Sequence, residues 1–124
     1  MKYMLFLCDA DRAAFEKMSK TDVDKAYGVI GKWWGEQEHK GVITEGAQLQ
    51  GPDRATTVKA RNGKALVTDG PFIEAKESIG GYAIVNVSDL DAAIGLAKEW
   101  VQLLPGPWQS SAIVEVRPLL ERER

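Results

Sequence analysis

Leu66-Val67-Thr68-Asp69-Gly70-Pro71-Phe72-Ile73-Glu74-Ala75-Lys76-Glu77-Ser78-Ile79-Gly80-Gly81-Tyr82 begins as an apolar strand and runs into an Asp-Gly-Pro turn. An aromatic, a Glu/Lys/Glu cluster and a Gly-Gly pair that opens a second strand follow. Asp and Gly tolerate turn dihedrals and Pro fixes φ, so turn chemistry accounts for the reversal. It does not demand Phe72, Glu74 and Lys76 at those spacings. On the N-terminal side, Thr56–Ala60 and Lys64–Thr68 flank Arg61-Asn62-Gly63, where the Asn-Gly pair predicts a tight hairpin. On the C-terminal side, Gly80–Val87 reads as a further strand.

The outer segments supply the remaining elements. Lys2–Cys8 is apolar at nearly every position, the pattern of a strand covered on both faces. Asp9–Met18 is polar around Ala13, Ala14 and Phe15 and predicts a short helix or helical loop. Ser19 and Thr21 are both suitable N-caps, and Val23, Tyr27, Ile30 and Trp34 then recur at helical spacing. His39 and Lys40 sit near the negative pole of that helix, and Gly41 ends it. Val42–Gln50 predicts a strand stopped by Gly51-Pro52. Ser88 is read as the cap of a second helix carrying Leu90, Ala93, Ile94, Ala97 and Val101 on one side. Pro105-Gly106-Pro107 breaks the chain, and Ala112–Val116 forms the last strand.

With the hairpin set aside, the order is β-α-β-β-α-β: an α+β fold of ferredoxin-like arrangement, with an antiparallel sheet and an inserted hairpin. Residues 1–118 form one domain, and Leu119–Arg124 is a charged C-terminal tail. Helices on one face leave the other bare. Met4, Phe6 and Cys8 or their alternates, with Tyr82, Ile84 and Ile113 or theirs, are too apolar to face water. A second copy packed sheet against sheet is the simplest cover, so a homodimer is expected.

Bulk properties narrow the function classes. A formal charge of −2 with scattered lysines and arginines argues against a nucleic-acid partner. Apolar runs fall short of a membrane span, and residues 1–8 lack the layout of a signal peptide. A single cysteine, Cys8, fits a reducing cytoplasm and reads as a core thiol. One histidine, His39, cannot build a multi-histidine metal site, so neither metal nor cofactor is expected. Gly80-Gly81 lacks the spacing of a phosphate or dinucleotide loop and instead reads as a bulge or a close backbone approach. Asp69 is the candidate proton-transfer group, a carboxylate at a strand end; alternatively it caps its own turn. Phe72 is a pocket wall or a loop anchor, while Glu74, Lys76 and Glu77 offer polar contacts or solvated ion pairs. Tyr3 and Tyr82 are the polar partners considered with Asp69. Trp34 is assigned to the core stripe, Trp33 and Trp108 to an interface or a pocket rim.

The same residues resemble the DGPF family, grouped with the YCII-related domains. The resemblance rests on Met1-Lys2-Tyr3-Met4-Leu5, Ala26-Tyr27-Gly28, Lys40-Gly41-Val42, Thr56-Thr57-Val58, Val67 through Lys76, Gly80-Gly81-Tyr82 and Val114-Glu115-Val116-Arg117-Pro118. It implies a bacterial protein with a ferredoxin-like fold assembling as a dimeric α/β barrel. It also implies a genetic link to sigma factors of the extracytoplasmic-function type. A histidine early in the first helix and an aspartate before a proline near the end of the second are suggested as a catalytic pair in the broader group. This chain has neither, at Thr21–Asp24 or at Leu104-Pro105. The expected function is therefore small-molecule binding in a cleft of a homodimer, with acid-base chemistry at Asp69. The alternative is a non-catalytic regulatory protein acting with a sigma factor.

Overall fold

A computed structural model describes residues 1–10, 12–71 and 78–121. Four strands, β1 (Lys2–Asp9), β2 (Ile43–Gln48), β5 (Ser78–Asn86) and β6 (Ala112–Pro118), form one sheet in the order β2-β5-β1-β6. Every pairing in it is antiparallel, and the order is compatible with a ferredoxin-like fold. Strands β3 (Thr56–Arg61) and β4 (Lys64–Asp69) form a separate two-stranded sheet. Asn62 and Gly63 both take positive φ, 52° and 76°, as the Asn-Gly pair predicts for a two-residue turn. Leu119 continues the ladder beyond β6, its N–H donating to the Lys2 carbonyl at 2.9 Å.

Helices α2 (Lys20–His39) and α3 (Leu90–Leu103) cover one face of the large sheet, and α1 (Arg12–Glu16) and α4 (Gly106–Gln109) are short. Ser19 caps α2 by accepting from the Asp22 N–H at 3.1 Å. The α3 cap is Asp89, not Ser88: its carboxylate accepts from the Ala92 N–H at 2.8 Å. The carboxylate reaches the third N–H of the turn from one residue further on, so Ser88 stays outside the helix. Pro105-Gly106-Pro107 does more than break the chain, because it opens α4 with prolines where a first turn needs no N–H donor. The Gln109 side chain then turns back and donates to the Val101 and Leu104 carbonyls, at 3.1 and 3.2 Å. The Val101 carbonyl also accepts from the Leu104 N–H at 3.2 Å, so Gln109 supplements the cap at the end of α3.

The core lies between this sheet face and the helices. Tyr3, Leu5, Leu7, Ile43, Ala83 and Val85 from the strands meet Ala26, Ile30, Trp33, Ala93, Leu96 and Trp100 from the helices. The buried row of α2 is Ala26, Ile30, Trp33 and Gln37; it keeps Ile30 of the expected Val23-Tyr27-Ile30-Trp34 row but has Ala26 and Trp33 in place of their neighbours Tyr27 and Trp34. Adjacent residues lie about 100° apart on a helix, so α2 has a broad apolar face. Its centre is buried, and its flank carries Tyr27 and Trp34. The tryptophan assignments therefore exchange: Trp33 is in the core and Trp34 is only half-buried. The opposite face of the sheet carries Met4, Phe6, Cys8, Tyr82, Ile84 and Ile113, all half-buried or exposed, in paired register. Cys8 accordingly belongs to that second face rather than to the core.

Candidate functional site

A cavity of about 430 Å³ opens between α2 and the sheet, over the end of β1 and the start of β5. Its floor is main chain. The register shifts between Leu7 and Cys8 opposite Gly81 and Ile79, making the irregularity expected at Gly80-Gly81. A Cβ at Gly81 would come within 2.9 Å of the Ala47 carbonyl oxygen, and one at Gly80 within 3.2 Å of Asp9 Oδ2. At Gly46 a Cβ would overlap the Trp34 ring and stand 2.7 Å from the Tyr82 carbonyl oxygen. Glycine at these three positions lets the indole and the carboxylate lie directly on the strands.

The walls are aromatic. Phe15 and Trp108 meet edge to face at 5.1 Å between ring centroids, Tyr27 and Trp108 at 5.8 Å, and Trp34 and Trp100 at 6.4 Å. Trp108, expected at an interface or a pocket rim, is buried and forms part of this wall. Its Nε1–H donates to Asp9 Oδ1 at 3.1 Å, fixing the carboxylate at the C-terminal end of β1. Gln48 Nε2 donates to Tyr27 Oη at 2.7 Å across the cavity side of β2 and α2. Glu38, in the last turn of α2, adds a second charge to the lining. Among the described residues, Asp9 and Glu38 are the carboxylates of the cavity.

The residues singled out in the sequence are dispersed. Asp69 is exposed at the end of β4, opposite Thr56, and does not line the cavity. Tyr3 is buried on the helix side of the sheet, its hydroxyl directed at Met1 Sδ. Tyr82 is on the opposite face, its hydroxyl donating to Glu45 Oε1 at 3.4 Å. Phe72, Glu74 and Lys76 lie outside the described residues. Sequence reasoning passed over Asp9, Glu38 and Gln48. A signal for Glu38 was present, since Tyr27, Gly31, Trp34 and Glu38 follow one another at four, three and four residues. Asp9 ends the most apolar strand of the chain, where a charged residue marks the point at which the strand leaves the core. Among the described residues no group of His, Cys, Asp and Glu side chains is arranged to hold a metal ion. No helix among them is long and apolar enough to cross a membrane.

A four-stranded antiparallel sheet with helices on one face makes this an α+β domain, compatible with a ferredoxin-like fold. The model of the YCII-related domain matches residues 1–120, and the chain belongs to that family. It is similar to R00369, an uncharacterized protein of Rhizobium meliloti (strain 1021), with 27% identity over 113 residues covering 91% of this chain and 88% of the relative. The match runs two residues past Pro118, in keeping with the Leu119 hydrogen bond to Lys2.

Proposed function

We propose that this YCII-related domain binds a small organic molecule in the cavity between α2 and the sheet, and that it does so as a homodimer. The observation that carries the reading is the combination of an aromatic wall, a main-chain floor and an oriented carboxylate around about 430 Å³. Concave, largely apolar sites with few placed polar groups are where small ligands bind. Asp9 is positioned to accept or deliver a proton to such a guest, because the Trp108 N–H holds its carboxylate at the strand end. The homodimer is supported by the second sheet face, where Met4, Phe6, Tyr82 and Ile84 form one contiguous apolar surface.

Trp34, Trp100 and Trp108 line the cavity, so ligand entry is read directly as a change in intrinsic fluorescence and as a rise in melting temperature. A metabolite screen by both readouts is the test. Asp9→Asn is expected to weaken the response to any hit, and Asp69→Asn to leave it intact. The reverse result would move the proton-handling role to the signature turn. A screen in which no compound shifts either signal would remove the small-molecule reading.

A regulatory reading rests on a different feature, the β3–β4 arm. Val58 and Val67 are 65% and 66% exposed on one side of it, and Lys59, Arg61 and Lys64 stand on the other. A protein partner such as a sigma factor would engage this arm. Co-purification lost on Val67→Lys, with ligand response unchanged, is its expected signature.

A further inference from the structure

The helix side of the cavity carries a bare position of its own. Tyr27 and Trp34 both line the cavity from α2, seven residues and so about 10 Å apart along the axis. Gly31 stands between them in the same lining. A Cβ at Gly31 would meet nothing within 4 Å among the described residues. Glycine weakens a helix interior relative to alanine, and here no close packing calls for it. With Gly46, Gly80 and Gly81 on the sheet, main chain borders the space from both layers. The result is a slot with rings at its ends: Trp34 lies on Gly46, and Tyr27 and Phe15 gather around Trp108. Tyr27 is half-buried, and its Oη accepts from Gln48 Nε2 at 2.7 Å. A phenol oxygen that accepts still has its own hydrogen to donate. Among the described residues that hydrogen has no acceptor.

From this arrangement we infer that the cavity takes a flat aromatic compound bearing a carbonyl oxygen. Its ring occupies the slot beside Gly31, and its oxygen accepts from the Tyr27 hydroxyl, which Gln48 holds in place. The inference rests on the small-molecule reading above and adds the guest's shape and its polar group. A flat ring extends the edge-to-face contacts that Phe15, Tyr27 and Trp108 already make. A hydrocarbon of the same outline would leave the hydroxyl without an acceptor and lose the polar contact.

The experiment compares three probes of similar outline on the intact protein, by calorimetric titration and thermal shift. Acetophenone is flat and has the carbonyl. In α-methylstyrene a methylene group replaces the carbonyl oxygen, and cyclohexyl methyl ketone keeps the oxygen on a puckered ring. Acetophenone is expected to bind about tenfold more tightly than α-methylstyrene, and severalfold more tightly than the puckered ketone. Tyr27→Phe keeps the ring and removes the hydroxyl. It is expected to abolish the preference for acetophenone over α-methylstyrene while leaving α-methylstyrene binding as it was. Gly31 is exposed on α2, so Gly31→Leu is expected to keep the fold, checked by circular dichroism, and to lose acetophenone binding by filling the slot. Equal binding of acetophenone and α-methylstyrene, or a preference that survives Tyr27→Phe, overturns the donor role of Tyr27. Equal binding of the two ketones, or unchanged affinity in Gly31→Leu, overturns the slot. Each of these results leaves the small-molecule reading standing. Silence from all three probes in both readouts overturns the inference as a whole; the broader metabolite screen then decides the small-molecule reading independently.

Discussion

Trp108 connects two ends of the chain through one hydrogen bond to Asp9, 99 residues away in sequence. Trp108→Phe removes the donor to Asp9 together with part of the ring that packs on Phe15 and Tyr27. The expected loss is about 1–3 kcal/mol in denaturant titration, the lost hydrogen bond and the lost ring contact acting in the same direction. Trp33 presents the opposite case. It is more than nine-tenths buried, yet its Nε1 lacks a hydrogen-bond partner among the described residues. Trp33→Phe removes a desolvated donor along with part of the ring, two effects of opposite sign. Its expected net change is within about 1 kcal/mol, whereas Trp100→Ala, in the same tryptophan cluster, is expected to cost roughly 3–5 kcal/mol. A larger loss in Trp33→Phe than in Trp100→Ala would show that the indole N–H has a partner after all.

At the scale of elements, caps and turns govern. Asp89→Ala is expected to lower stability by about 1 kcal/mol, while Ser88→Ala changes it by a few tenths at most. Equal effects would mean that the two residues share the cap. The sequence told much about elements because their signals are local. Asn62-Gly63 marks the hairpin by its two positive φ angles, and Ser19 and Gly41 bracket α2 with a hydroxyl cap and a φ of 74°. What escaped reading was direction around the helix. Gln37 is polar at a fully buried position, while Tyr27 and Trp34 are apolar beside it, so the hydrophobic pattern points to the flank instead of the centre of the buried face. The short α4 was also hidden, because Pro and Gly signal a break whether or not a helical turn follows. Its stability depends on Gln109 reaching α3, a contact set by the tertiary fold. The candidate site suffered most from this limit. Asp9, Glu38 and Gln48 come from three different elements, and nothing in their sequence spacing announces that the fold gathers them around one cavity.

For the molecule as a whole, the two sheet faces differ in what covers them. One face meets the helices in the core, and the other carries Met4, Phe6, Tyr82 and Ile84 with Arg117 stacked 5.9 Å from the Phe6 ring centroid. Sheets packed face to face sit about 10 Å apart with interleaved side chains, the geometry that two copies of this face would adopt. Phe6→Glu with Ile84→Glu puts unpaired charge into that layer. Light scattering is expected to report a dimer for the natural chain and a monomer for the double variant, with circular dichroism unchanged. A natural chain that elutes as a monomer at micromolar concentration would leave this half-buried apolar face without its proposed partner. Among the described residues, the β3–β4 hairpin makes little contact with the other strands and helices. Isolated two-stranded hairpins are marginal in water, so exchange of its amide protons with solvent is expected to be faster than in β1 and β5.

The glycine floor carries an evolutionary corollary. Gly46, Gly80 and Gly81 leave bare backbone beneath the cavity, and a hydrogen-bonded ladder has no rotamers with which to yield to a larger guest. On the proposed small-molecule reading, adaptation to a new compound comes from the side chains of the walls, Trp108 on its four-residue helix among them. Homologues that changed their preferred compound should then differ there and keep the three bare positions, like locks recut only at the pins.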